Sequence, residues 1–154
     1  MRALKWRRAA VALSSGVVLA SGLLVAPVAA AAPDTVPAAK GCYTRDGEPP
    51  QKSGTDIGGT PPRYEYSNSP YIGGRYDSCN NQIKLYYGGY TTNLTHYNVR
   101  WQYDNTDWRI SKQSPGERRV WTLDAPGNDY NFMVQACNGN SCTRWSPQLY
   151  VNAR

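Results

Sequence analysis

From about Tyr71 to the C-terminus, apolar and polar positions alternate with the period of a pleated strand, in short runs separated by turn residues. Ile83, Leu85 and Tyr87 share one face and stop at Gly88-Gly89. Tyr97, Val99, Trp101 and Tyr103 form the clearest alternation, with Asn98, Arg100 and Gln102 opposite and Asp104-Asn105 at the end. Trp108 and Ile110 begin a shorter run that Ser114-Pro115-Gly116 closes, and Arg119, Trp121 and Leu123 share a face of the next. Tyr130, Phe132, Val134 and Ala136 alternate again, and Trp145, Leu149 and Val151 belong to a last strand in which Pro147 marks an edge or bulge. No window carries a helical period. The pattern predicts an all-β domain, an antiparallel sandwich or barrel, over residues 71–154.

Residues 31–70 read differently. Between Gly41 and Pro70 stand five Gly and five Pro with almost no aliphatic periodicity, which predicts an irregular extension or linker. Residues 1–30 differ again. Arg2, Lys5, Arg7 and Arg8 precede an apolar stretch from Ala9 to Ala30 that ends in Val28-Ala29-Ala30, the layout of a secretory signal peptide. An uncleaved anchor is the rival reading, but Ser14, Ser15, Gly16, Ser21, Gly22 and Pro27 weaken that stretch as a permanent helix. The expected product is therefore secreted, touching the membrane only in transit. The residues around Arg7-Arg8 do not extend into a fuller twin-arginine motif.

The leader changes the meaning of the charge. The whole chain carries 17 Lys and Arg against 11 Asp and Glu; without the four basic residues of the leader, 13 remain against 11, a net charge of +2. That is too little for a nucleic-acid footprint. From Ala31 onward there are only 14 Leu, Ile, Val and Phe residues, beside 12 Tyr and four Trp, so the core must be built largely from rings. In an oxidising compartment the four cysteines read as two disulfides. Cys137 and Cys142 close a hairpin loop, which leaves Cys42 for Cys79 and ties the extension to the domain. A zinc site would need a second close ligand pair, and His96 is the single histidine.

One segment carries a family resemblance. Leu123-Asp124-Ala125-Pro126-Gly127-Asn128-Asp129-Tyr130-Asn131-Phe132-Met133-Val134-Gln135-Ala136 resembles the E-to-F region of fibronectin type III domains, where a Leu ends strand E and a Tyr opens strand F after a Pro-Gly turn. Cys142-Thr143-Arg144-Trp145-Ser146 is similar to the start of strand G, and Tyr97-Asn98-Val99-Arg100-Trp101 fits strand C. The resemblance covers about Tyr71 to Asn152. It implies an immunoglobulin-like sandwich with Leu123, Tyr130, Trp101 and Trp145 in structural roles and Tyr130 as a corner whose hydroxyl bonds to nearby backbone. The family usually places a Trp on strand B, where this chain has Tyr86 and Tyr87. In secreted bacterial proteins such domains are accessories to enzymes, so the resemblance implies a binding module.

Catalytic signals are scarce. There is no nucleophile elbow, phosphate loop or His-Glu-x-x-His, nothing calls for a cofactor, and His96 reads as a surface residue entering a strand. Asp104, Asp107, Glu117 and Asp124 stand in turn-like segments, where acids serve solubility. The sequence therefore predicts a non-catalytic module that recognises an extracellular polysaccharide or protein surface through exposed aromatics. Tyr86 points outward if Ile83 and Leu85 face the core, Tyr90 emerges beyond Gly88-Gly89, and Tyr103 joins them if its strand pairs with theirs. The alternative is a secreted inhibitor of an extracellular hydrolase. Small disulfide-bonded β-sandwich inhibitors of amylases carry a Trp-Arg-Tyr triplet, which Trp101-Gln102-Tyr103 and Trp108-Arg109-Ile110 approach.

Overall fold

The computed structural model describes residues 41–154; the expected leader, its cleavage site and residues 31–40 lie outside the described residues. Eleven strands follow one another: β1 (Thr44–Asp46), β2 (Thr55–Gly58), β3 (Arg63–Glu65), β4 (Tyr71–Asp77), β5 (Gln82–Gly88), β6 (His96–Tyr103), β7 (Arg109–Gln113), β8 (Arg118–Asp124), β9 (Asp129–Asn138), β10 (Ser141–Cys142) and β11 (Leu149–Asn152). They form two antiparallel sheets. The first runs β2-β3-β4-β5-β8, with β1 also on β4; the second runs β10-β9-β6-β7, with β11 also on β9. The two sheets pack face to face as a sandwich.

The core lies where the alternating runs meet. Ile72, Tyr76, Ile83, Leu85 and Tyr87 come from the first sheet and Tyr97, Val99, Phe132, Val134, Leu149 and Val151 from the second, all buried. Rings carry much of the volume: Tyr87, Tyr97 and Phe132 are among the largest fully buried side chains, and Tyr87 meets Tyr97 edge-on at 5.1 Å. Tyr87 thus fills the core from β5. Both expected disulfides are formed, Cys42–Cys79 and Cys137–Cys142.

Strand β4 contains Gly73-Gly74, a pair that disfavours a strand by propensity. Close approach explains it. A Cβ on Gly74 would sit 2.9 Å from a Leu149 methyl of the opposite sheet, and one on Gly73 would sit 2.5 Å from the Pro62 carbonyl oxygen folded over the outer face.

Residues 41–70 correct the expectation of an irregular extension. Three short strands form there and widen the first sheet, and between β1 and β2 the chain reaches the second: Glu48 N–H donates to Tyr150 O at 3.0 Å and Tyr150 N–H donates back to Glu48 O at 2.8 Å. The segment has no apolar alternation because β1 and β2 are exposed on both faces and are held by backbone pairing. The last strand also differs from the expectation. Pro147 has no N–H to donate, and the chain pairs with β9 in two pieces, β10 and β11, on either side of it. Trp145 lies between the pieces, half-buried and outside the core cluster. The buried residues there are Ser146 and Pro147; the Ser146 Oγ accepts from Val134 N–H at 2.9 Å and donates to the Pro147 carbonyl at 3.0 Å.

Tyr97 links the loops at one end of the sandwich. Its hydroxyl lies 3.0 Å from the Gly116 carbonyl and 3.2 Å from that of Tyr90. Burial pushes the Tyr97 hydroxyl up from 10.0 to about 12. The folded state thus disfavours the phenolate, so the contribution is complete below about pH 10 and is lost as pH rises through about 12. Tyr97→Phe is expected to flatten this alkaline loss in urea midpoints followed against pH, while costing roughly 1 kcal/mol at neutral pH. An unchanged alkaline limb would assign the loss to other groups.

Candidate functional site

The three tyrosines expected to form one platform are placed on three separate surfaces. Tyr86 is half-buried on the outer face of the first sheet, opposite Gly73 on one side and Val120 on the other. Tyr90 packs against the core from the loop after β5 and lines a cleft of about 260 Å³ with Leu94, Thr143 and the Cys137–Cys142 hairpin. Tyr103 sits at the far end of β6, on the inner face of the second sheet. The platform needed β5 and β6 to pair, but they belong to different sheets.

The structure instead gathers aromatics along the side of the sandwich formed by β6, β7 and β8. All four described tryptophans are half-buried, and Trp101, Trp108 and Trp121 stand on this side. Trp101 (β6) and Trp121 (β8) face inward and meet across the two sheets, with ring centroids 6.1 Å apart. Trp121 also meets Phe132 edge-on at 6.4 Å. Tyr103 stacks on Trp101 at 6.3 Å and touches Tyr130 at 6.0 Å. Arg109 of β7 stands directly across from Trp101 and lays its guanidinium over two rings, 5.2 Å from the centroid of Trp101 and 5.4 Å from that of Tyr103. Just before β7, Trp108 carries the Arg100 guanidinium at 4.5 Å.

The openness of this side follows from the strand order. The first sheet ends at β8, which packs over β6 and β9 through Trp121. The second sheet continues one strand further, to β7. No strand of the first sheet lies opposite β7, so its inward-facing Arg109, Ser111 and Gln113 are exposed or half-exposed. Exposure of Ile110 and Val120, at 64% and 54%, marks the outer faces of the same two strands. The opposite side of the sandwich is closed by Gly47-Glu48, β1 and the Cys42–Cys79 bond.

Of the titratable groups considered for catalysis, Asp104, Asp124 and His96 are engaged elsewhere. Asp104 accepts from Asp129 N–H at 3.0 Å and from the Arg154 guanidinium at 2.7 Å, which together hold its carboxyl below the ordinary range. Asp124 accepts from Gln82 at 3.1 Å. His96 opens β6 in a nearly covered position rather than on the surface; burial holds it below its ordinary value, and the charge of Lys112 adds to the effect. Among the described residues no group of His, Cys, Asp and Glu could hold a metal ion. A second depression, of about 290 Å³, is lined by Glu48, Lys52, Asp56 and Tyr64; burial raises the Tyr64 hydroxyl, and the two carboxylates raise it further. Leu123 packs against the core from β8. Tyr130 is buried, and its hydroxyl meets the side chain of Asn128 rather than backbone.

No protein-family model matches the chain, and no curated protein matches it by sequence.

Proposed function

We propose that the chain is a non-catalytic extracellular binding module with a fibronectin type III-like fold, and that it takes its ligand on the side formed by β6, β7 and β8. One observation carries this reading: half-exposed Trp101 and Trp121, with the Arg109 guanidinium over Trp101, stand on the side of the sandwich left open by the strand order, and Trp108 stacks with Arg100 on the outer face of the same β6–β7 hairpin. Trp, Tyr and Arg are the residues that dominate binding energy at interfaces, and the same groups suit a polysaccharide or a protein surface. The family reading is supported by strand pairing. β5 pairs with β8, as strands B and E would, and β6 and β11 both pair with β9, as strands C and G would with F. The sequence from Leu123 to Ala136 points the same way. The hydrolase-inhibitor reading is favoured by one arrangement: the β6–β7 hairpin brings Trp101, Tyr103 and Arg109 together near its tip, with Trp108 on the other face beside Arg100.

The test compares the secreted protein with Trp108→Ala and Arg109→Ala in a depletion assay on insoluble glycans, a binding screen against extracellular proteins, and an inhibition panel of amylases and proteases. Each variant is expected to weaken retention about tenfold, roughly 1.4 kcal/mol. Melting midpoints should hardly move, because both side chains lie at the periphery. Retention unchanged in both folded variants would place the site elsewhere. Loss of enzyme inhibition without any glycan or protein retention would decide for the inhibitor.

A further inference from the structure

We propose that this side receives an extended acidic polypeptide segment, added as a further strand along the free edge of β8; the inference rests on the binding-module reading. Among the described residues β8 pairs with β5 alone, so its other edge presents unpaired backbone N–H and C=O groups. Such an edge supplies directional affinity to an extended chain, while alternate side chains supply specificity. The strand order fits this occupant. Because the second sheet reaches β7 while the first stops at β8, an added strand would lie over the uncovered inner face of β7 and complete the shorter sheet.

The side chains around that position call for carboxylates. Inward-facing Arg119 and outward-facing Arg118 flank the start of β8, and Arg109 looks across from β7. None of the three forms an ion pair among the described residues, where Arg75 and Arg154 are the arginines that do. The Nε of Arg119 is also buried without a hydrogen-bond partner. A buried donor left unpaired is costly, and an incoming carboxylate would relieve it. The outward face differs, since Val120 there is 54% exposed. The pleat therefore specifies an alternating ligand, with acidic side chains inward toward Arg109 and Arg119 and apolar ones outward beside Val120. A glycan would stack on ring faces, but Arg109 already covers Trp101 and Tyr103.

The experiment uses the isotope-labelled secreted protein with three probes: a peptide alternating Glu and Val, the length of β8; the same peptide with Lys for Glu; and polygalacturonate. Backbone amide exchange and indole resonances are read by NMR. The Glu-Val peptide is expected to slow exchange at β8 amides about tenfold or more, to weaken with added salt, and to lose about tenfold in affinity to Arg109→Glu or Arg119→Gln. The Lys-Val peptide should not bind. Binding of the acidic peptide without protection of β8 would overturn strand addition. Polygalacturonate shifting the Trp101 and Trp121 indoles while the peptide does nothing would overturn it too, yet leave the binding-module reading standing. Silence of those indoles toward all three probes and toward the glycan and protein panels would remove both.

Discussion

Tyr130→Ala is expected to cost about 3–5 kcal/mol of stability in a denaturant melt, the range for truncating a large buried ring. Tyr130 is 3% exposed and lies in a ladder, parallel to Phe132 at 6.0 Å and tilted against Tyr103 at 6.0 Å. Tyr130→Phe keeps the ring and removes only the hydroxyl facing Asn128, so about 1 kcal/mol is expected. The two variants separate packing from hydrogen bonding. The Ala variant should also weaken ligand retention, because Tyr103 rests on Tyr130 and in turn stacks on Trp101 of the open side. A melt indifferent to both substitutions would remove the ladder as a source of stability, and with it the packing logic of the β8–β9 corner.

β5, β6, β8 and β9 were legible because each has one face in or against the core, and a buried face imposes alternation on the sequence. Ile83-Leu85-Tyr87 and Tyr130-Phe132-Val134 are such cases, as is Tyr97-Val99-Trp101. β1 and β2 were not legible, because they are exposed on both faces and backbone pairing leaves no hydrophobic record. β4 was obscured by Gly73-Gly74, whose reason is the approach of Leu149 and Pro62 from elsewhere in the chain. The candidate site was half-legible. Trp101, Tyr103, Trp108 and Arg109 could be picked out as chemically apt residues, but periodicity does not say which sheet a strand joins. That β5 and β6 separate while β8 stops short of β7 is a property of topology; it parts Tyr86 and Tyr90 from Tyr103 and moves the proposed site to the side formed by β6, β7 and β8. The alternation set Arg119 on the face of Trp121 and Leu123, but a basic residue at a strand start reads as a solvated edge, so nothing marked it as a binding group.

Replacing Cys42 and Cys79 together by Ala is expected to cost about 4 kcal/mol, and replacing Cys137 and Cys142 about half as much. The difference follows from loop length, 37 residues of separation against 5, through the chain entropy each bond removes from the unfolded state. Little else would hold the first segment in place. β1 is three residues long and exposed, and its Asp46–Arg75 ion pair is of the surface kind that contributes at most about 1 kcal/mol. Its other ties are the short backbone pairing with β4 and its flanking Tyr43–Ser78 and Gly47–Gly74 bonds, the Tyr43 hydroxyl donating to the Arg154 carbonyl at 2.9 Å, and the Arg45 guanidinium on Asn152. Amides of β1 should therefore exchange freely in the Cys42/Cys79 variant while those of β5 and β9 stay protected at the lower global stability. The hairpin variant should show the opposite distribution, with β10 opening and β1 unaffected, since β10 pairs with β9 through only Ser141 and Cys142. Equal losses for the two pairs, or a larger loss for the hairpin, would mean that native packing around each bond outweighs loop entropy. In that case the closed side of the sandwich would owe its stability to the Glu48–Tyr150 crossing instead.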